Sequence, residues 1–291
     1  MSKETNLQKT NESKVYTLYY AFFLIPLMIT IFGVMFFFMF RVLTYESSSP
    51  VEYLTDVQYG AASKRWQAAY ELSKLLSNPD LVPLDRNFQD RMISVYEHSI
   101  HDDPTVRMYL ALAMGRTGQN IYGETLIDGL GDKDLGSRVA AIKALGNISY
   151  KPAIEKLVRF TKIDKSVNER LSATISLGNM EDKSVIPFLE NLLNDEEPNV
   201  RWDASIALAK YGNKSGVNVI NNLLDRRYYD QFKEVDSEEK VQAILIAIKA
   251  AGKITSIKLV ENLLKLATLD PNMKIRDSAI KTLDNSFNME I

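Results

Sequence analysis

One short pattern returns seven times down this chain and leaves it little choice of fold. Its plainest copy runs from Asp195 to Gly212. Val200, Ala204, Ala207, Leu208 and Tyr211 fall on one face at helical spacing. Pro198 suits a first helical turn, where a missing N–H costs little. Gly212 suits the position after a helix end, where the backbone turns left-handed. Anchored on Arg201, the residues three, six and seven positions later are Ala204, Ala207 and Leu208. The same template follows Arg65, Arg107, Arg138, Arg170 and Arg276, and Val241 stands for Arg in the sixth copy. Arg107, Arg138, Arg170 and Arg201 follow one another at intervals of 31 or 32 residues. Helical patterning at such a period predicts stacked helix pairs, each burying its apolar face against its neighbours.

A second register runs beside the first. Asp132, Asp164, Asp195 and Asp270 each lie six residues before their Arg. Between copies sits another apolar helical run, as in Ala153–Phe160, Val185–Leu193 and Ile257–Leu264. Each unit is therefore expected to be a first helix, a tight turn carrying Asp, and a second helix carrying Arg and the Ala/Leu face. On these residues the chain resembles the HEAT-repeat family, in particular the short repeats of phycobilin lyases, over about residues 51–291. The resemblance implies an all-α, right-handed solenoid of about seven helix-pair repeats. It also implies a structural ladder in which Asp132, Arg138, Asp164, Arg170, Asp195, Arg201, Asp270 and Arg276 bridge neighbouring turns. Tyr59, His101 and Val235 replace the Asp in the first, second and sixth copies. Interruptions are expected there.

Ahead of the repeats lies a different kind of segment. No charged residue occurs from Val15 to Phe40, a run of 26. Twenty apolar residues at about 1.5 Å each span the roughly 30 Å hydrocarbon layer of a membrane. Tyr16, Tyr19, Tyr20 and Tyr45 flank the run as interfacial aromatics do, and Pro26 is expected to kink it. A cleaved signal peptide has a shorter apolar core and an Ala-x-Ala site, which Arg41 and its neighbours do not provide. The organisation expected is a polar tail (1–14), a transmembrane helix (15–43), a linker (44–50) and the solenoid (51–291). Lys3, Lys9 and Lys14 before the span, against Arg41, Glu46, Glu52 and Asp56 after it, favour a cytoplasmic N-terminus and an extracytoplasmic solenoid.

Composition narrows the function. The chain after residue 43 holds 31 basic and 35 acidic residues. A mildly acidic solenoid is poorly suited to nucleic acid, whose binding rests on phosphate neutralisation. There is no cysteine, so thiolate chemistry and disulfides are excluded. The two histidines, His98 and His101, lie three apart, which is too few ligands to close a metal site. They also leave little for acid–base catalysis. No glycine-rich phosphate loop occurs. No catalytic residue, metal or cofactor is expected.

The expected partner is another protein, associated with the membrane, with the lipid bilayer contacted through residues 15–43. The residue after each Arg forms a row (Trp66, Met108, Val139, Leu171, Trp202) that either packs between units or lines an apolar groove. The long step before the sixth copy is an insertion, Asp225–Glu239, carrying Arg226, Arg227, Tyr228, Tyr229 and Phe232. Arg and aromatic residues are enriched at interfaces. These five with Trp66 and Trp202 are the candidate protein-binding set, set against a loop whose aromatics fold back on the solenoid. Two further readings stay open: a subunit whose transmembrane helix packs on a transporter, and a lyase-like or small-molecule-binding protein, the latter from the resemblance.

Overall fold

The computed structural model describes residues 19–43 and 49–290, which divide into two compact units at Ser49 and Pro50. The polar tail, residues 15–18 of the apolar run, Tyr45 and most of the linker lie outside the described residues.

The first unit holds one helix, α1 (Ile25–Leu43), entered through a wide π-type turn at Tyr20–Leu24. The Ile25 N–H reaches back to Tyr20 O, five residues away. Pro26 explains this, because its ring crowds the carbonyl four residues before it and a widened turn makes room. Tyr20–Phe40 is the one stretch long and apolar enough to cross a membrane among the described residues. A signal sequence shares that length and composition. None of its side chains is buried.

The second unit is all helix among the described residues and consists of seven antiparallel pairs. They are α2 and α3 (Pro50–Tyr59, Ala62–Leu75), α4 and α5 (Arg86–His98, Pro104–Arg116), and α6 and α7 (Gly123–Gly129, Leu135–Asn147). Then come α8 and α9 (Ile154–Arg159, Val167–Leu177), α10 and α11 (Ile186–Leu192, Pro198–Lys210), and α12 and α13 (Val217–Leu223, Ser237–Ile254). The last pair is α14 and α15 (Val260–Leu269, Met273–Phe287).

Six of the seven second helices start at a side-chain cap; α3 follows Ala61, which makes none. Asp103, Asp134 and Glu197 accept backbone N–H groups two or three residues on, and Asp85 does the same for the first helix α4. Ser166 with Glu169, and Asp236 with Glu239, form reciprocal capping boxes. The cap of α15 is Asn272, which accepts from the N–H groups of Lys274 and Ile275, and Pro271 lies outside the helix. That helix runs on to Phe287.

The second helices pack on one another, and their small residues permit it. Ala68, Leu110, Ala141, Ala173, Ala204, Ile244 and Ala279, three after each anchor, are all buried. Eight after the anchor stand Gly115, Gly146 and Gly178. A Cβ on Gly115 would lie 2.6 Å from Ala144 Cα, and one on Gly146 would lie 2.6 Å from Ser176 Cα. Backbones of neighbouring second helices therefore meet with no room for a methyl group. The apolar core falls into two clusters, one ending at Leu208 and the other beginning at Ala209. The division lies within α11, between the fifth and sixth units.

Candidate interaction surface

The arginine ladder runs forward along the chain. Where a repeat arginine closes a rung, its guanidinium takes a carbonyl of its own unit on one edge and a carboxylate of the next unit on the other. Arg107 donates to Ser99 O at 2.9 Å and grips Asp132 at 2.6 and 3.2 Å. Arg170 donates to Lys165 O and binds Asp195 twice at 3.0 Å, both side chains almost fully buried. Burial works to raise the Asp132 carboxyl, but the Arg107 guanidinium and the Asp134 N–H hold it below the usual carboxylate range. Hydrogen bonding to Asp195 pushes the Arg170 guanidinium up.

Two rungs differ from the sequence expectation, and a third is open where Val235 stands for Asp in the sixth copy. The first-to-second step is intact, because Asp102, next to His101, takes Arg65 at 2.5 Å. Asp164 is not a rung. Its side chain is 70% exposed and faces only Lys165 at 3.9 Å. Glu169 serves instead, taking Arg138 at 2.8 Å while it caps its own helix through Ser166. A glutamate in the first helical turn is long enough to reach both partners. Arg201 donates to Asp195 O and Glu196 O, and among the described residues no carboxylate of the sixth unit reaches it.

The insertion takes over where the ladder breaks. Residues Arg226–Gln231 form a short 3-10 helix held by Asp225, which accepts from the Arg227 N–H. Arg226 grips Asp270 at 2.8 and 3.1 Å, so it fills the place that Val241 leaves empty. Arg276 donates to Asp270 O at 2.7 Å. Tyr229 is buried, with its hydroxyl donating to Leu223 O. Trp202 Nε1 donates to Tyr228 Oη at 3.3 Å, and the Trp202 ring meets Tyr228, Tyr229 and Phe232 edge-on. The insertion's aromatics thus fold back on α11. Tyr229 is internal, Arg226 is half-buried, and Arg227 alone of the five is well exposed, paired with Asp225. Trp66 lies apart from this cluster, on α3.

The second helices leave an apolar ridge partly uncovered. The row of Trp66, Met108, Val139, Leu171 and Trp202 is partly exposed throughout. One turn further on lie Tyr70, Leu112, Ile175, Ile206 and Ile246, on the same helix face. Tyr70 and Ile175 are both 41% exposed, and Lys143 stands at this position in the third unit. The Tyr70 and Tyr109 rings meet at 5.2 Å, joining the first and second units of this ridge. The spacing of four between the two rows was available in the sequence. The competing demand for buried residues at neighbouring positions obscured it.

Asp203, beside Trp202, is mostly covered, and burial raises its carboxyl to about 6. His98 Nδ1 lies 2.7 Å from Ser94 O, and both histidines are exposed. Among the described residues no group of three or more His, Asp or Glu is placed to hold a metal. A cleft of about 470 Å³ opens where the C-terminal ends of α7, α9 and α11 come together. There Lys210 donates to Asn179 Oδ1 at 2.8 Å, and Ser149 and Glu181 have left-handed backbones.

Residues 161–237 match the family model for HEAT repeats, and residues 137–162 match that of the PBS lyase HEAT-like repeat. Over 123 residues the chain is 30% identical to Protein YibA of Escherichia coli strain K12, and equally to Protein YibA of Escherichia coli O157:H7. The match takes in 40% of this chain and 41% of each relative, so the chain spans about two fifths of the length of these curated relatives. Among solved structures, the complex of CpcE and CpcF of phycocyanin lyase from Nostoc sp. PCC7120 is similar. Its TM-score is 0.56 at 18% identity, covering 82% of this chain and 88% of that one. At that identity the likeness is one of fold. The matched segments support the HEAT-repeat family, and the helix pairs on either side of them continue the same register.

Proposed function

We propose that the chain is a membrane-anchored scaffold that docks another protein on its solenoid and has no catalytic activity of its own. The observation that carries this reading is the apolar ridge on the second helices. Its residues are too exposed to be core and run across several units at constant register. Solenoids present long surfaces to macromolecular partners, and contiguous exposed apolar residues mark interaction sites. The apolar helix Tyr20–Phe40 suits an anchor. An anchor raises the local concentration of the solenoid near partners in the same membrane. The positive charges at residues 3, 9 and 14 favour an extracytoplasmic solenoid.

The test is purification of the intact protein from its native membrane in mild detergent, with mass spectrometry of what accompanies it. A stoichiometric protein that is lost from a Leu112→Asp, Ile175→Asp variant is the expected result. The intact protein emerging alone, with a small molecule bound, overturns the scaffold reading.

A further inference from the structure

The ridge has charged margins, and they differ. Each second helix points the same way, so all its C-terminal ends share one margin. Lys74, Arg116 and Lys210 stand there, each one turn beyond the ridge residue of its helix, and Lys143 stands within the ridge itself. Glu71, Glu181, Asp182 and Asp284 are opposing carboxylates on that margin, and Glu71 already faces Lys74 at 3.6 Å. The other margin carries the acidic caps Asp103, Asp134 and Glu197. Cations at helix C-termini and anions at N-termini offset the helix dipoles. In a parallel stack the same preference gives the ridge a basic bank along its C-terminal margin, while the opposite margin mixes these caps with Lys64, Lys133 and Lys165.

On the scaffold reading, we infer that the occupant of the ridge is an amphipathic helix of a partner protein whose apolar face is bordered by acidic residues on the basic bank. Second helices packed about 8–10 Å apart set five ridge positions over roughly 40 Å. At about 1.5 Å per residue that is a helix of roughly 27 residues. Such a ligand buries its apolar face along the Trp66 and Tyr70 rows and sets Glu or Asp against Lys74, Lys143 and Lys210. The narrow stripe, one or two side chains wide per unit, suits a rod laid along it. Opposite charge on the matching bank fixes its register and direction.

The experiment uses the full chain in nanodiscs and three synthetic amphipathic helices with one apolar face. One has a Glu-rich flank, one a Lys-rich flank, and one a scrambled face. Trp66 and Trp202, the two tryptophans of the chain, report binding by their fluorescence. The Glu-flanked helix is expected to bind at least tenfold more tightly than the Lys-flanked one, and raising salt shrinks the difference. Reversing the bank with Lys74→Glu, Lys143→Glu and Lys210→Glu is expected to invert the preference, an outcome that a merely unfolded variant does not give. Equal binding of both flanks, or no inversion, overturns the inference and leaves the scaffold reading standing. A tryptophan blue shift on reconstitution alone also overturns it, because the ridge then faces lipid. No helix binding overturns the inference, and if the purification above also yields no partner that depends on the ridge, the scaffold reading falls with it.

Discussion

Arg226 holds Asp270 across 44 residues of chain with two hydrogen bonds, and the Asp270 side chain is only 1% exposed. An arginine borrowed from an insertion thereby completes a rung that the repeat itself has lost. Arg227, its neighbour in sequence, faces solvent.

This pairing separates two substitutions that sequence alone treats alike. Arg226→Ala leaves a buried carboxylate without its cation, which costs about 2–4 kcal/mol. Arg227→Ala, at an exposed pair, is expected to change stability by less than about 0.5 kcal/mol. Denaturant titration, with hydrogen exchange of α14 and α15 to localise the loss, distinguishes them.

Asp203 makes the opposite prediction for pH. Burial raises its carboxyl to about 6 in the folded chain, above the value of about 3.9 in an unfolded one. The folded state therefore holds the proton more tightly between those values, and stability declines as pH rises from about 4 to about 6. Asp203→Asn removes that decline. It is expected to gain roughly 1–2 kcal/mol at pH 7.5 and almost nothing near pH 3.5. Thermal melts at the two pH values provide the check.

The close-packed glycines can be tested against a turn residue. Gly146→Ala drives a methyl into the Ser176 backbone and is expected to cost about 1–3 kcal/mol. Ser149 sits after the same helix with φ +49°. Ser149→Gly relieves that backbone, at the loss of one hydrogen bond to Asn179 O. It is expected to lie within about 1 kcal/mol of the parent. Chemical denaturation of the two variants side by side decides the matter.

Tyr122 carries the one buried side-chain polar atom without a hydrogen-bond partner among the described residues, its hydroxyl. Tyr122→Phe removes a desolvated group that returns nothing. Stability is expected to stay level or rise by about 1 kcal/mol. A loss of more than 1 kcal/mol in urea unfolding would show that the hydroxyl has a partner.

The helix pairs were legible because burial imposes a period, and Ala204, Ala207 and Leu208 repeat at theirs. The ladder was legible only in outline. Arg and Asp recur at fixed spacing, but the carboxylate that closes a rung is chosen by reach, so Glu169 could displace Asp164. The role of Arg226 lay beyond sequence spacing, because its partner lies two helices further on. The insertion's Tyr229 and Phe232 have the composition of an interface. Whether aromatics point out or in depends on what lies beneath them, and here Trp202 does.

Every closed rung joins an arginine to a carboxylate that comes later in the chain: Arg65 to Asp102, Arg107 to Asp132, Arg138 to Glu169, Arg170 to Asp195, Arg226 to Asp270. A ribosome emits the cation first. During synthesis the newest folded unit thus keeps one open guanidinium until its successor emerges, and each successor arrives at an edge already charged to receive it.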